Sequence, residues 1–120
     1  MNNLDLSRKY YNKSIDIIRS YFKGKSSENI TNLKTLFKIR DLLEKSYELY
    51  PSYYNSYNLG NCYNDLCIFL NNSEKGREIR EDCISKSIDY YKKAFKFKDP
   101  SKEDIDRLKI LDSTLFCFQK

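Results

Sequence analysis

The segment from Ser46 to Ser73, SYELYPSYYNSYNLGNCYNDLCIFLNNS, contains two charged residues, Glu48 and Asp65, in a chain where 32% of residues are charged. A surface helix of a globular protein keeps one charged face, so a helix this poor in charge has to be enclosed on most sides. Leu59, Cys62, Tyr63, Leu66 and Leu70 recur at steps of three and four, which is the spacing of one helical stripe. Tyr54, Tyr57, Asn58, Asn61, Asn64 and Asp65 fall on another side of the same helix. The expectation is a central helix over 53–72, capped by Ser52, against which the other helices pack.

The flanking segments read in the same way. Tyr11, Ile15, Ile18 and Phe22, with Tyr10, Ile17 and Tyr21 alongside, predict a first helix over 5–23. Gly24 follows, where a helix C-terminus favours positive φ. Leu36, Ile39, Leu43, Ser46, Tyr47 and Tyr50 mark a second helix, starting near Glu28 or Asn32 and stopped by Pro51. A turn at Asn71-Asn72-Ser73 leads to a fourth helix over about 74–98, with Cys83, Ile84, Ser87, Ile88, Tyr91, Ala94 and Phe95 on its core side. Asp99-Pro100 closes it. Ser101 and Asp104 then form an S-x-x-D capping box for a fifth helix, whose apolar face is Leu108, Leu111, Leu115 and Phe118. Five helices joined by short turns give an all-α, antiparallel helical array in one domain, residues 1–120.

Composition narrows the function classes. The chain has 40% hydrophobic and 15% aromatic residues, enough for a folded core. Its longest strongly apolar run, Leu66 to Leu70, is far short of a membrane span, and a cytoplasmic chain is expected. There is no histidine, no Gly-rich phosphate loop and no nucleophile motif, so neither catalysis nor a bound cofactor is expected. Cys62, Cys67, Cys83 and Cys117 include no CxxC pair, so no zinc site is expected. They read as reduced core cysteines, with a Cys62–Cys83 disulfide possible but unneeded. The net charge of +5 is mild. Lys92, Lys93, Lys96 and Lys98 interleave with Tyr90, Tyr91, Phe95 and Phe97, but on a helix these aromatics mostly face inward, and no stacking platform for nucleic acid follows.

Internal periodicity adds a family resemblance. Lys45 to Ser52 is echoed by Lys93 to Ser101, each copy ending a helix with proline and starting the next with serine. Leu59-Gly60-Asn61-Cys62-Tyr63 matches L-G-x-x-Y, and Ser87, Tyr91, Ala94 and Pro100 match the A-x-x-x-F…P half of the tetratricopeptide (TPR) pattern. Residues 36–120 thus resemble a TPR protein. Ser56 stands where the pattern has tryptophan. Pro51 and Pro100 are 49 residues apart, against a unit of roughly 34, which implies an elongated central hairpin around 71–74. In that respect the chain also looks like the plant-type presequence receptor of the mitochondrial outer-membrane translocase, which would place it on the cytosolic face of mitochondria, binding amphipathic targeting helices.

The TPR resemblance implies a protein-binding module whose groove is lined by the first, third and fifth helices. Its partner-binding residues would be Tyr54, Tyr57, Asn58, Asn61, Asn64 and Asp65. Tyrosine supplies contact area at low entropic cost, and asparagine can satisfy a peptide backbone. TPR co-chaperones clamp a C-terminal carboxylate with a basic residue and asparagines. Arg8, Asn12 and Asn58 imitate that spacing, although Lys102 and Arg107 match the rest of it imperfectly. The alternatives to a peptide groove are a targeting-sequence receptor, a nucleic-acid-associated scaffold, or a packing role for the same tyrosines.

Overall fold

The computed structural model describes residues 2–24, 30–70 and 76–118. Five helices follow one another: α1 (Asn3–Phe22), α2 (Leu33–Leu49), α3 (Tyr53–Phe69), α4 (Arg77–Ala94) and α5 (Lys102–Phe118). No strand occurs among the described residues. Four of the five helix starts carry side-chain caps, and α4, which follows Gly76, starts without one. Asn2, Asn32 and Ser52 each accept a backbone N–H three residues on, satisfying donors that a helix leaves orphaned. At α5 the expected box is present: the Asp104 N–H donates to Ser101 Oγ at 3.1 Å and the Ser101 N–H to Asp104 Oδ2 at 3.0 Å.

Each helix packs on the next, most extensively α3 on α4. α2 and α4 also meet, through the Tyr47 and Tyr90 rings, whose centroids are 5.4 Å apart. α1 and α3 meet through Tyr11 and Tyr54, at 6.1 Å. The helices therefore alternate between two layers, with α1, α3 and α5 on one side and α2 and α4 on the other. α3 is the enclosed one. Leu59, Cys62, Tyr63, Leu66 and Cys67 are buried against Leu36, Ile39 and Leu43 of α2 and Cys83, Ile84, Ile88 and Tyr91 of α4. Its stripe lacks charge because both of its sides are occupied.

Gly60 explains the closeness of α3 and α4. A Cβ built there would lie 2.6 Å from the Tyr91 ring, and Ser87 Oγ donates to the Gly60 carbonyl at 2.7 Å. Gly24 has φ +73°, the left-handed conformation expected at the end of α1.

Some expectations shift. α3 ends at Phe69 and α4 runs from Arg77 to Ala94, both shorter than the spacing suggests. After Ala94 the chain tightens into three-residue turns, with the Phe97 N–H donating to the Ala94 carbonyl at 3.0 Å. The turn at 71–74 lies outside the described residues. Cys62, Cys67 and Cys83 are buried, but Cys117 is exposed rather than in the core, because it falls on the outer side of the last helix. All four thiols are free.

The first helix differs most. The fully buried side chains of α1 are not its aromatics but Ser7 and Ser14. Ser7 Oγ donates to the Ser46 carbonyl at 2.7 Å, and Ser46 Oγ donates to the Ser7 carbonyl at 2.9 Å. Asn55 Nδ2 reaches the same Ser46 Oγ at 3.2 Å and the Tyr50 carbonyl at 2.9 Å. Small hydroxyl residues let the α1 and α2 backbones approach while every buried polar atom of this seam is bonded.

Candidate functional site

Positions 57, 58, 61, 64, 65 and 68 of α3 lie beside its fully buried stripe, with Tyr57 and Asn61 still touching Tyr91 of α4. Five of them, Tyr57, Asn58, Asn61, Asn64 and Asp65, line a cleft of about 430 Å³. Ile18 and Phe22 of α1 form one wall and Arg107 of α5 the other, with Ile30, Leu36, Ile39 and Cys62 completing the lining. The cleft has an apolar floor under a polar, aromatic lip. A second depression of about 520 Å³ continues from it, sharing Asn64 and Arg107 and adding Cys67, Ile68, Ile110 and Leu111 with the charged Arg80, Glu103 and Asp106.

The lip is held by a hydrogen-bonded network. Tyr57 donates its hydroxyl hydrogen to Asp104 Oδ1 at 2.7 Å. Arg107 Nη1 donates to the Tyr57 oxygen at 3.3 Å and to Asn61 Oδ1 at 3.5 Å. The Tyr91 hydroxyl donates to the same Asn61 oxygen, and the Arg107 guanidinium lies 5.8 Å from the Tyr91 ring centroid. Tyr57 stacks on Tyr53 and meets Tyr91 edge-on, with centroids at 5.4 and 5.5 Å. Burial pushes the Tyr91 hydroxyl up, with Arg107 opposing, so it stays a neutral donor. Burial also pushes the Asp104 carboxyl up, but the Ser101 backbone, the Tyr57 hydroxyl and the Ser101 hydroxyl outweigh that, and it ends below its ordinary range.

Asp65 has none of this support. Among the described residues it accepts one hydrogen bond, from the Ile30 N–H at 3.5 Å. Among the described residues no salt bridge reaches it. Burial pushes its carboxyl up to about 6, against smaller opposing effects from the Ile30 N–H and Arg107.

Of the remaining expected residues, Tyr54, Arg8 and Asn12 do not line the cleft. Tyr54 is 63% exposed, beside Tyr11 and Tyr53. Asn58 lines the cleft but spends its amide on the Tyr54 carbonyl at 2.8 Å and the Tyr11 hydroxyl at 3.4 Å. Arg8 and Asn12 are exposed on α1 and do not line it. The part of α1 that does, Ile18 and Phe22, is ten residues beyond Arg8, about 15 Å along a helix. Lys102 is exposed as well, and among the described residues the one basic side chain lining the cleft is Arg107. Sequence reading leaves out the roles of Tyr91 and Asp104, which it assigns to core and cap. Their spacing gives those structural duties correctly and carries no sign of the second ones.

Among the described residues no cluster of three or more acidic or cysteine side chains is placed to hold a metal ion, and no helix is long and apolar enough to cross a membrane. No protein-family model, curated protein or solved structure matches the chain.

Proposed function

We propose that this chain is a protein-interaction module that binds a segment of a partner protein in the cleft between α1, α3 and α5, in the manner of a cytoplasmic TPR-like adaptor. The observation that carries this reading is the combination of an apolar floor with Tyr57, Asn61 and Asn64 on one accessible face of the central helix. Binding sites for peptides and small molecules are concave and mostly apolar, with a few placed polar groups, and side-chain amides match the donors and acceptors of an extended backbone. Asn64 is the free member of the set: no hydrogen bond within the fold uses its side chain among the described residues.

Site-specific photo-crosslinking tests the proposal. A benzophenone amino acid replaces Asn64 in the cleft or Asp89, which is exposed on α4. Both proteins are irradiated in cell extract after their helicity is matched. Crosslinked partners specific to position 64 are expected. The same products from both positions, or none from position 64, would overturn it.

A further inference from the structure

We infer that the segment held in this cleft presents a lysine or arginine flanked by apolar residues, and that Asp65 is the carboxylate that receives the basic group. The inference rests on the cleft being a peptide site. It starts from a contrast between two aspartates at the same lip. Asp104 has two close partners: its carboxylate accepts from the Ser101 N–H at 3.0 Å and from Tyr57 at 2.7 Å. Asp65 can accept about four hydrogen bonds and, among the described residues, receives one long one.

The charges around Asp65 are already committed. Arg107 is the cation nearest to it in the cleft lining, and its Nη1 is directed to Tyr57 and Asn61, with Asp104 offsetting its charge. On α2, Arg40 pairs with Asp41 at 3.0 Å and lies over the Phe37 ring. No cationic side chain of α1 lines the cleft. Asp65 and Arg107 are the charged side chains of the described lining, and because Arg107 bonds Tyr57 and Asn61, the Asp65 carboxylate is left without an ion-pair partner among the described residues.

The surroundings of Asp65 fit the two halves of a long basic side chain. Ile18, Phe22, Ile30 and Ile39 line the same space and suit a methylene stem, while the head reaches the carboxylate. The adjoining depression continues the apolar track through Ile68 and Ile110, and its lining holds both signs of charge, Glu103 and Asp106 with Arg80 and Arg107. An unpaired carboxylate set among apolar side chains is costly until a cation joins it, so a bound basic group relieves a cost that the free protein carries.

A displayed library of random 12-residue peptides, selected on the full chain at neutral pH, tests this. Enriched peptides are then measured by fluorescence anisotropy against wild type, Asp65→Asn and Asn64→Trp, the last filling the cleft, with thermal melts recorded for each. The expected result is a shared basic position beside apolar residues. Asp65→Asn should weaken those peptides at least tenfold, while their lysine-to-norleucine analogues bind both proteins alike. Enriched peptides without a basic position, or equal affinity for wild type and Asp65→Asn, overturn the role of Asp65 and leave the cleft standing if Asn64→Trp abolishes binding. No enrichment, or binding indifferent to Asn64→Trp, overturns both readings.

Discussion

The Tyr57 hydroxyl donates to Asp104 Oδ1 at 2.7 Å across 47 residues of chain. α5 packs mainly on α4, so this bond is the main polar link between the central helix and the last one, and it shares its carboxylate with the cap that starts α5. Capping and cross-linking therefore depend on one side chain. Asp104→Ala should cost about 1–2 kcal/mol, the usual loss for a cap plus part of a buried hydrogen bond. Tyr57→Phe should cost less, about 1 kcal/mol. Urea denaturation of the two single variants and the double variant would show a summed loss smaller than additive; strict additivity would mean that the bond contributes nothing.

Asp65 gives the chain an unusual pH response. Its carboxyl is pushed up by burial to about 6 from an ordinary 3.8, so the folded chain holds this proton more tightly than the unfolded one. The resulting stabilisation is complete below pH ~3.8 and is lost as pH rises through 6, leaving a cost on the order of 2 kcal/mol at neutrality. Asp65→Asn should therefore raise stability by about 1–2 kcal/mol at pH 7.5 and change it little at pH 4. Thermal melts at the two pH values check this, and a gain of equal size at both would contradict it.

Gly60→Ala should destabilise the fold even though alanine is the better helix former by about 1 kcal/mol. The new methyl would lie 2.6 Å from the Tyr91 ring, and overpacking of this kind costs about 1–3 kcal/mol. Tyr91→Leu in the Gly60→Ala background should recover part of the loss. Chemical denaturation of the pair decides the matter, because a stabilised Gly60→Ala protein would mean that the helices are not in that contact.

The thiols should separate by reactivity. Burial pushes Cys62 up to about 12 and Cys83 up to about 11, and the thiolate is the reactive form. Cys117 is exposed. Brief alkylation of the native protein at neutral pH, read by peptide mass spectrometry, should label Cys117 first and leave Cys62 unmodified until the chain is unfolded.

The helix boundaries were legible where the chain carries its own stop and start chemistry. Pro51 with Ser52, and Pro100 with Ser101 and Asp104, act within a few residues, so their effect can be read locally. The buried stripes of α3 and α4 were legible as well, because Leu59, Tyr63, Leu66, Ile84, Ile88 and Tyr91 need only helical spacing to declare a common side. Several residues of the cleft followed from the same spacing, since Tyr57, Asn61, Asn64 and Asp65 share the remaining face of α3. What escaped depends on contacts between distant segments. Ser7 and Ser14 look like surface residues until α2 is placed against them. Asp104 reads as a cap until Tyr57 arrives from another helix. The isolation of Asp65 is a property of where Arg107 spends its guanidinium, and no local pattern encodes that.

The serine seam between α1 and α2 sets how the cleft can open. Ser7 and Ser46 exchange hydrogen bonds that are directional and short, and α1 buries no apolar side chain completely. The wall bearing Ile18 and Phe22 is thus registered like a key in its slot, and the apolar side chains that hold it to the core are only partly buried. Such an element detaches as a unit rather than loosening by degrees. In native-state hydrogen exchange, the α1 amides should exchange together and ahead of those of α3 and α4, and a partner that seats against Ile18 and Phe22 would slow them as a block.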